Sequence, residues 1–379
     1  MRYYIIAGEA SGDLHASNLI AALRKSDAKA EIRAWGGDLM QKQGATIVKH
    51  YRDLAFMGFA EVILNLKTIW HNLRFCKQDI LLFNPDVVIL IDYPGFNMRI
   101  ARFAHKQRFK LVYYISPQIW AWKKNRVHTL KKLVDKMLVI LPFEKAFYQN
   151  YQLDVEFVGH PLLDALKQYN WQPEEIFRQK NSLGQKPIIA LLPGSRKQEV
   201  SRMLHLMLQM IPLFPDYTFA IAKAPSLEAE FYQQITRNNS IHLIENQTYD
   251  LIKHARSALV TSGTATLETA LIGTPEVVCY KGNALSYQIA KRIIHVKYIS
   301  LVNLIMDKKV VEELIQHEFN INSLKKALDT IISDTADRRQ MLNDYALLKQ
   351  KLGGLGASAN AAQAILELVN TEFTLKKND

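Results

Sequence analysis

Apolar residues in this chain come in short unbroken runs, separated by longer stretches with helical spacing. In the first half the runs are residues 3–7, 32–35, 87–91, 111–115, 137–140 and 156–158, and helical stretches begin near Leu14, Glu61 and Arg99. The runs do not alternate apolar with polar positions. That pattern predicts parallel strands covered on both faces. A polar stretch over 169–186, carrying Pro173 and followed by Pro187, reads as a linker. A second series follows at 188–192, 217–221, 241–244, 258–260 and 276–280. From Ser323 the spacing is helical, with a break at Gly353-Gly354-Leu355-Gly356. Strand-helix alternation of this kind predicts an α/β protein with two Rossmann-like, doubly wound domains facing a cleft. Their expected bounds are 1–168 and 187–340. Residues 341–379 form no strand of their own and are expected to pack as helices on a neighbouring domain.

Charge changes the picture in one place. The chain carries a formal +12, and residues 99–136 hold eleven Lys or Arg against one acid, Asp135. A solvated helix face is the plain explanation for such a run. Trp120 and Trp122 inside it point instead to an anionic membrane surface. They would also stack on bases, but no nucleic-acid motif accompanies them, so no nucleic-acid partner is expected. The stretch 56–83 is unusually apolar. Val62, Leu66, Ile69, Leu73 and Ile80 share a face that must be core, while Ile63, Leu64 and Trp70 lie off it. That surplus fits a lipid-facing patch or burial against the tail. Two cysteines, Cys76 and Cys279, fit a reducing compartment. No basic leader precedes an apolar stretch, and no run approaches the ~18 apolar residues of a span. A soluble cytoplasmic protein is expected. Clustered Cys/His ligands and a D-x-D pair are missing, so no metal and no cofactor are expected.

Two segments suit a nucleotide diphosphate. Leu192-Pro193-Gly194-Ser195-Arg196 and Ser262-Gly263-Thr264 through Glu268 each follow an apolar run and open a helical stretch. Such turns leave main-chain N–H groups aimed at whatever sits above them. Arg196 would pair with phosphates, and Glu268 would accept from ribose hydroxyls. Ordinary βα loops capped by Ser195 and Gln198 are the plainer alternative for either turn alone. In the first half, Gly8-Glu9-Ala10-Ser11-Gly12-Asp13 occupies the place of a dinucleotide fingerprint without its spacing, and its glycines still permit close approach by a substrate. Asp92 ends a strand, and Pro94-Gly95 makes the following turn without it. Asp92 is therefore a candidate general base. His160 beside Pro161 is a second cleft candidate, or a hinge.

These segments, in this order, resemble the lipid-A-disaccharide synthase family. The resemblance also rests on Met57-Gly58, the I-D-Y-P-G-F-N segment from Ile91 to Asn97, Ser116-Pro117-Gln118-Ile119-Trp120-Ala121-Trp122, Leu141-Pro142-Phe143-Glu144, Gly159-His160-Pro161 and Ser300-Leu301-Val302-Asn303-Leu304. It implies the two-domain GT-B fold, with the C-terminal helices returning to the first domain, sometimes across to a partner subunit in a homodimer. The Gly353–Gly356 break is the expected crossing. It implies an inverting transfer of 2,3-diacylglucosamine from its UDP donor to 2,3-diacylglucosamine 1-phosphate, at the inner face of the cytoplasmic membrane. Asp92 and Glu9 match positions regarded as catalytic. Gly194, Ser195, Arg196, Ser262, Gly263, Thr264 and Glu268 match the UDP side. Gly8, Ser11, Gly12, Asp13, Met57, Asn97, Trp120 and Asn303 match positions facing substrate. Tyr93 and Gly95 depart from the commoner Ala and Asp, so a second carboxylate often found in that segment is missing. A UDP-sugar epimerase or the peptidoglycan N-acetylglucosaminyltransferase would show similar phosphate turns. A binding module without catalysis would leave both turns unexplained.

Overall fold

The computed structural model describes residues 1–54, 66–122, 124–236, 241–283, 287 and 296–375. The chain divides into two units, Met1–Gln168 with Leu352–Asp379, and Tyr169–Lys351. Each is built on one parallel sheet.

Among the described residues, the first unit has β1 (Arg2–Ala7), β2 (Glu31–Gly36), β3 (Thr46–His50), β4 (Val87–Ile91), β5 (Lys110–Tyr114), β6 (Lys136–Val139) and β7 (Glu156–Phe157). Their order is β3-β2-β1-β4-β5-β6-β7, all pairs parallel. Every residue of β4 is buried, as its unbroken apolar run requires. The chain builds outward from β1 to β3, then returns to lay β4 on the other flank of β1. The reversal lies between β1 and β4, where Ala7 pairs with Ile91. Crevices at such reversals are where doubly wound sheets bind ligands.

The second unit repeats the plan with β8 (Ile188–Leu192), β9 (Thr218–Lys223), β10 (His242–Glu245), β11 (Ala255–Thr261), β12 (Glu276–Tyr280) and β13 (Glu312–Ile315). The order is β10-β9-β8-β11-β12-β13. Its reversal lies between β8 and β11, where Leu192 pairs with Val260.

Two strands differ from the hydrophobic reading. β3 and β13 are sheet edges with few fully buried positions, and they carry Thr46, Lys49 and His50, and Glu312 and Glu313. A half-covered polar edge has no apolar run to announce it. Helices also begin earlier than the apolar spacing suggests, at Ala10 and Pro94, because their first turns are built from small residues and proline.

The helix Ala336–Lys351 lies with the second unit, and the chain passes to the first unit at Leu352, beside the Gly353–Gly356 break. Its Met341, Tyr345 and Leu348 are buried, and Lys308 Nζ reaches buried Asp344 at 2.7 Å. The following helix, Ala357–Leu375, packs against the helix Ala10–Ser26 of the first unit. Buried Asp164 clamps its start, accepting from the N–H groups of Gly356 at 2.7 Å and Ser358 at 3.0 Å. Asp164→Ala strands both donors. Loss of such a cap costs about 0.5–2 kcal/mol. The expected result is a lower melting temperature with faster proteolytic release of the tail, measured by thermal unfolding and limited proteolysis.

Candidate active site

The first unit gathers its motifs on the carboxyl ends of its strands. Glu9 follows β1 by two residues and Asp92 follows β4 by one, so the register of the reversal sets two carboxylates on one edge. Glu9 is the N-cap residue of Ala10–Ser26, and both side chains are half-buried. Burial, then the neighbouring charge of Glu9, pushes the Asp92 carboxyl up to about 7, against a main-chain bond from Tyr93 that favours the ionised form. Two acids set side by side cannot both ionise without cost, which is how one becomes a proton carrier near neutrality.

The backbone here is strained. Asp92 and Tyr93 stand at φ 43° and 46°, and Ile115, just past β5, at 63°. Positive φ is unfavourable for such side chains, above all for β-branched Ile115, and such outliers gather at functional sites. The turn is held by its carbonyl: Asp92 O accepts from Asn97 Nδ2 at 2.8 Å and Tyr113 OH at 2.7 Å. Asn97 is fully buried and also donates to Ile91 O at 3.2 Å. Asn97 therefore shapes the Asp92 turn through its Nδ2. Gly8 is required beside it. A Cβ there would lie 2.4 Å from the Tyr93 ring, so the departure from the commoner residue at 93 fills the space over Gly8.

The other first-unit candidates separate into exposed and structural groups. Ser11 is exposed in the first helical turn. Gly12 is buried, and a Cβ there would come within 3.1 Å of Ala7 Cβ, so it lets the helix lie on the strand end. Asp13 is buried and accepts from the N–H groups of Gly37, Leu39 and Met40 at 2.8, 3.1 and 3.2 Å. It caps the short helix Asp38–Lys42. His160 is buried, and its Nδ1 accepts from Leu162 N–H at 3.2 Å. Burial and then the neighbouring His15 push its imidazole down to about 3, so it is a neutral brace in the interior and a poor base. Met57 lies outside the described residues.

The S-P-Q-I-W and L-P-F-E segments form one cluster. Ser116 Oγ lies 2.6 Å from Tyr148 OH. Glu144 is buried and accepts from Leu141 N–H at 3.0 Å. Burial raises its carboxyl to about 7, while the Leu141 N–H, Ser116, the Ile140 N–H and Trp120 favour the ionised form. Trp120 stands edge-on to Phe143 at 4.9 Å. Helix Leu66–Phe83 buries Cys76, Asp79 and Ile80, and Arg33 and Tyr4 bond Asp79 from the sheet. Trp70 and Leu82 on that helix remain 63% and 86% exposed, so part of the apolar surplus faces outward.

In the second unit both turns leave the strands that flank the reversal. Gly194 takes φ 109°, and Arg196 is the N-cap residue of Lys197–Met207. Ser195 and Arg196 are exposed. Arg196 meets Glu199 at 3.3 Å in an exposed pair, which holds the guanidinium only weakly. Gly263 is the N-cap residue of Thr264–Ile272, and open space surrounds the place a Cβ would take. Thr264 is exposed at the first helical position. Ser262 Oγ–H donates to Ile299 O at 3.0 Å, and its N–H to Cys279 O at 3.1 Å. Its hydroxyl proton is thus committed to the protein. Glu268 Oε1 accepts from Tyr249 OH at 3.1 Å, and burial raises its carboxyl while that bond offsets part of the rise.

Asn303 lies within the helix Leu301–Met306. It is fully buried, and both amide atoms are in use: Nδ2 donates to Val311 O and Glu313 Oε1, each at 2.9 Å, and Oδ1 accepts from the N–H groups of Val310 at 2.7 Å and Val311 at 3.0 Å. Its hydrogen bonds are all made within the protein.

The profile of the lipid-A-disaccharide synthetase family matches residues 3–368. A lipid-A-disaccharide synthase from Syntrophus aciditrophicus is 40% identical over 372 residues, covering 96% of this chain and 97% of that one. The chain belongs to the lipid-A-disaccharide synthase family. It is therefore a glycosyltransferase of lipid A biosynthesis. Solved structures share its fold at low identity. The Methanocaldococcus jannaschii UDP-GlcNAc 2-epimerase, in complex with UDP-GlcNAc and UDP, superposes with a TM-score of 0.67 at 15% identity, over 97% of this chain and all (100%) of that one. The calicheamicin glycosyltransferase CalG4 superposes at 0.60 with 16% identity, over 97% and 98%. Two parallel-sheet α/β domains of this kind are the GT-B fold of the lipid-A-disaccharide synthases.

Two polar contacts of this synthase-family chain escaped the sequence. Tyr249, which bonds Glu268, lies in an ordinary helical stretch with nothing to mark it. Glu313, which meets Asn303, lies on the unannounced edge strand β13.

Proposed function

We propose that this enzyme transfers 2,3-diacylglucosamine from UDP-2,3-diacylglucosamine to the 6-hydroxyl of 2,3-diacylglucosamine 1-phosphate, giving a β-1,6-linked disaccharide and UDP. The observation that carries the proposal is the half-buried Asp92 carboxylate beside Glu9 at the reversal of the first sheet. Asp92 takes the proton of the acceptor hydroxyl as that oxygen attacks the anomeric carbon. The bond to UDP breaks in the same step, so the centre inverts and no covalent enzyme intermediate forms. Charge developing on UDP meets Arg196 and the N–H groups that open Lys197–Met207 and Thr264–Ile272, fixed dipoles that need no reorganisation. Because the Ser262 proton is committed, the phosphates take main-chain N–H groups and Thr264 at this turn, and Glu268 takes ribose. Ser11 and Trp120 border the acceptor.

Acyl chains and a phosphorylated acceptor suit a membrane surface. Trp70 and Leu82 offer exposed apolar area, and Arg99, Arg102, Lys106, Lys124, Lys131 and Lys132 are exposed. Each basic residue near an anionic surface contributes about 1 kcal/mol. No helix among the described residues is long and apolar enough to cross a membrane. We propose peripheral attachment.

A base titrating near 7 gives a rate that rises as pH climbs through that value, because only ionised Asp92 accepts the proton. Glu9→Gln removes the neighbouring charge that holds the Asp92 value up. The acid limb of kcat/KM is then expected to move to lower pH, read from a pH–rate profile of both proteins. An unmoved limb would disconnect Glu9 from the base.

The reaction is tested by UDP release from the purified protein with EDTA present, with each diacylated substrate omitted in turn. Release is expected only with both. Release from the donor alone would point to hydrolysis or epimerase-like chemistry and overturn the proposal.

A further inference from the structure

The second phosphate turn is held from behind by a carboxylate remote in sequence. Glu313 on β13 accepts four hydrogen bonds: Oε1 from Ser300 N–H at 2.9 Å, Ser300 Oγ–H at 2.8 Å and Asn303 Nδ2 at 2.9 Å, and Oε2 from Ile299 N–H at 2.9 Å. The acceptors of one carboxylate are thereby largely used. Ser300 Oγ in turn accepts from Asn303 N–H at 3.2 Å and caps the helix Leu301–Met306. The carbonyl of Ile299, set by this grip, accepts the Ser262 hydroxyl at 3.0 Å. A continuous polar chain thus runs Glu313, Ile299-Ser300, Ser262, and ends one residue before Gly263, whose helix N-terminus the proposed function assigns to the UDP phosphates.

We propose that Glu313 is a positioning residue for nucleotide diphosphate binding. It fixes the Ile299 carbonyl, which holds Ser262 and so aims the N–H groups of the Gly263–Thr264 turn. The fully engaged Asn303 is part of the same device, tying Glu313 to the Val310-Val311 backbone. The inference rests on the assignment of this turn to UDP. An anion site made of main-chain N–H groups depends on their direction, and here the Ser262 hydroxyl bond to Ile299 O adds to the Ser262 N–H bond to Cys279 O and the Thr266 hydroxyl bond to Gly263 O in setting it.

Glu313→Gln is nearly isosteric but sets an amide NH2 against main-chain N–H donors. The test is the UDP dissociation constant, by calorimetry, of wild type, Glu313→Gln, Ser262→Ala and the double variant, with melting temperatures taken without UDP. Glu313→Gln is expected to weaken UDP about tenfold, a coupling usual within one hydrogen-bond network. The double variant is expected to lose little more than either single variant. The donor KM should rise while the acceptor KM stays. A lowered melting temperature with unchanged UDP affinity would reduce Glu313 to a fold residue and overturn the proposal. Additive losses would overturn it equally, since they would break the link through Ser262. If Glu313→Gln fails to fold, Ser300→Ala removes one of the four bonds, and a smaller loss of UDP affinity is expected. Unchanged affinity there contradicts the proposal. Wild type that binds no UDP would instead sink the assignment of the turn itself.

Discussion

Asp92→Ala is expected to lower turnover by about 10²–10⁴-fold, the range of a general base, while UDP binds as tightly as to wild type. The split follows from where the residue stands. Asp92 belongs to the β1–β4 reversal of the first sheet, and the turns proposed for UDP belong to the β8–β11 reversal of the second. The substitution removes a proton acceptor and leaves the phosphate turns whole. The Asp92 carbonyl that Asn97 and Tyr113 hold is main chain, so the turn keeps its supports. Asp92→Asn should behave the same way, since an amide does not accept the proton. The measurement is single-turnover UDP release beside calorimetric UDP binding. Turnover near wild type would send the search for the base elsewhere, and buried His160, with its Nδ1 already occupied, is a poor alternative.

Arg196→Ala is expected to cost about 10²–10³ in kcat/KM for the donor, as removal of one preorganised donor to a developing negative charge does. Its present partner, Glu199, is an exposed neighbour three residues on, so little free energy opposes release of the guanidinium to a phosphate. Arg196→Lys should recover part of the loss, because an ammonium keeps the charge and lacks the bidentate fork. Steady-state kinetics with donor varied at fixed acceptor reads the effect. Unchanged kinetics in Arg196→Ala would leave the leaving group to the helix N-termini alone.

The sequence announces what is both buried and apolar. β1, β4 and β8 were legible because parallel strands covered on both faces leave unbroken apolar runs, and the motifs at their ends followed directly. Edge strands β3 and β13 were not, since half-exposed strands carry Lys, His and Glu and look like loop. Residue type alone also could not separate polar groups that face substrate from those that face the backbone. Asp13, Asn97 and Asn303 sit inside recognisable motifs yet spend their hydrogen bonds on caps and turns. Asp92 and Glu9, the proposed catalytic pair, lie in motifs of the same kind, and strand register places these two acids on one edge. Ser262 shows the same limit at finer scale. The motif gives a hydroxyl, but only the Ile299 carbonyl reveals that its proton is already used.

The measurement that tests the proposed chemistry most directly is the proton NMR spectrum of the disaccharide made from an α-linked UDP donor. A single displacement by an acceptor oxygen that Asp92 deprotonates predicts a β linkage to the 6-position and one UDP per disaccharide. An α linkage, or free sugar in place of disaccharide, would contradict it.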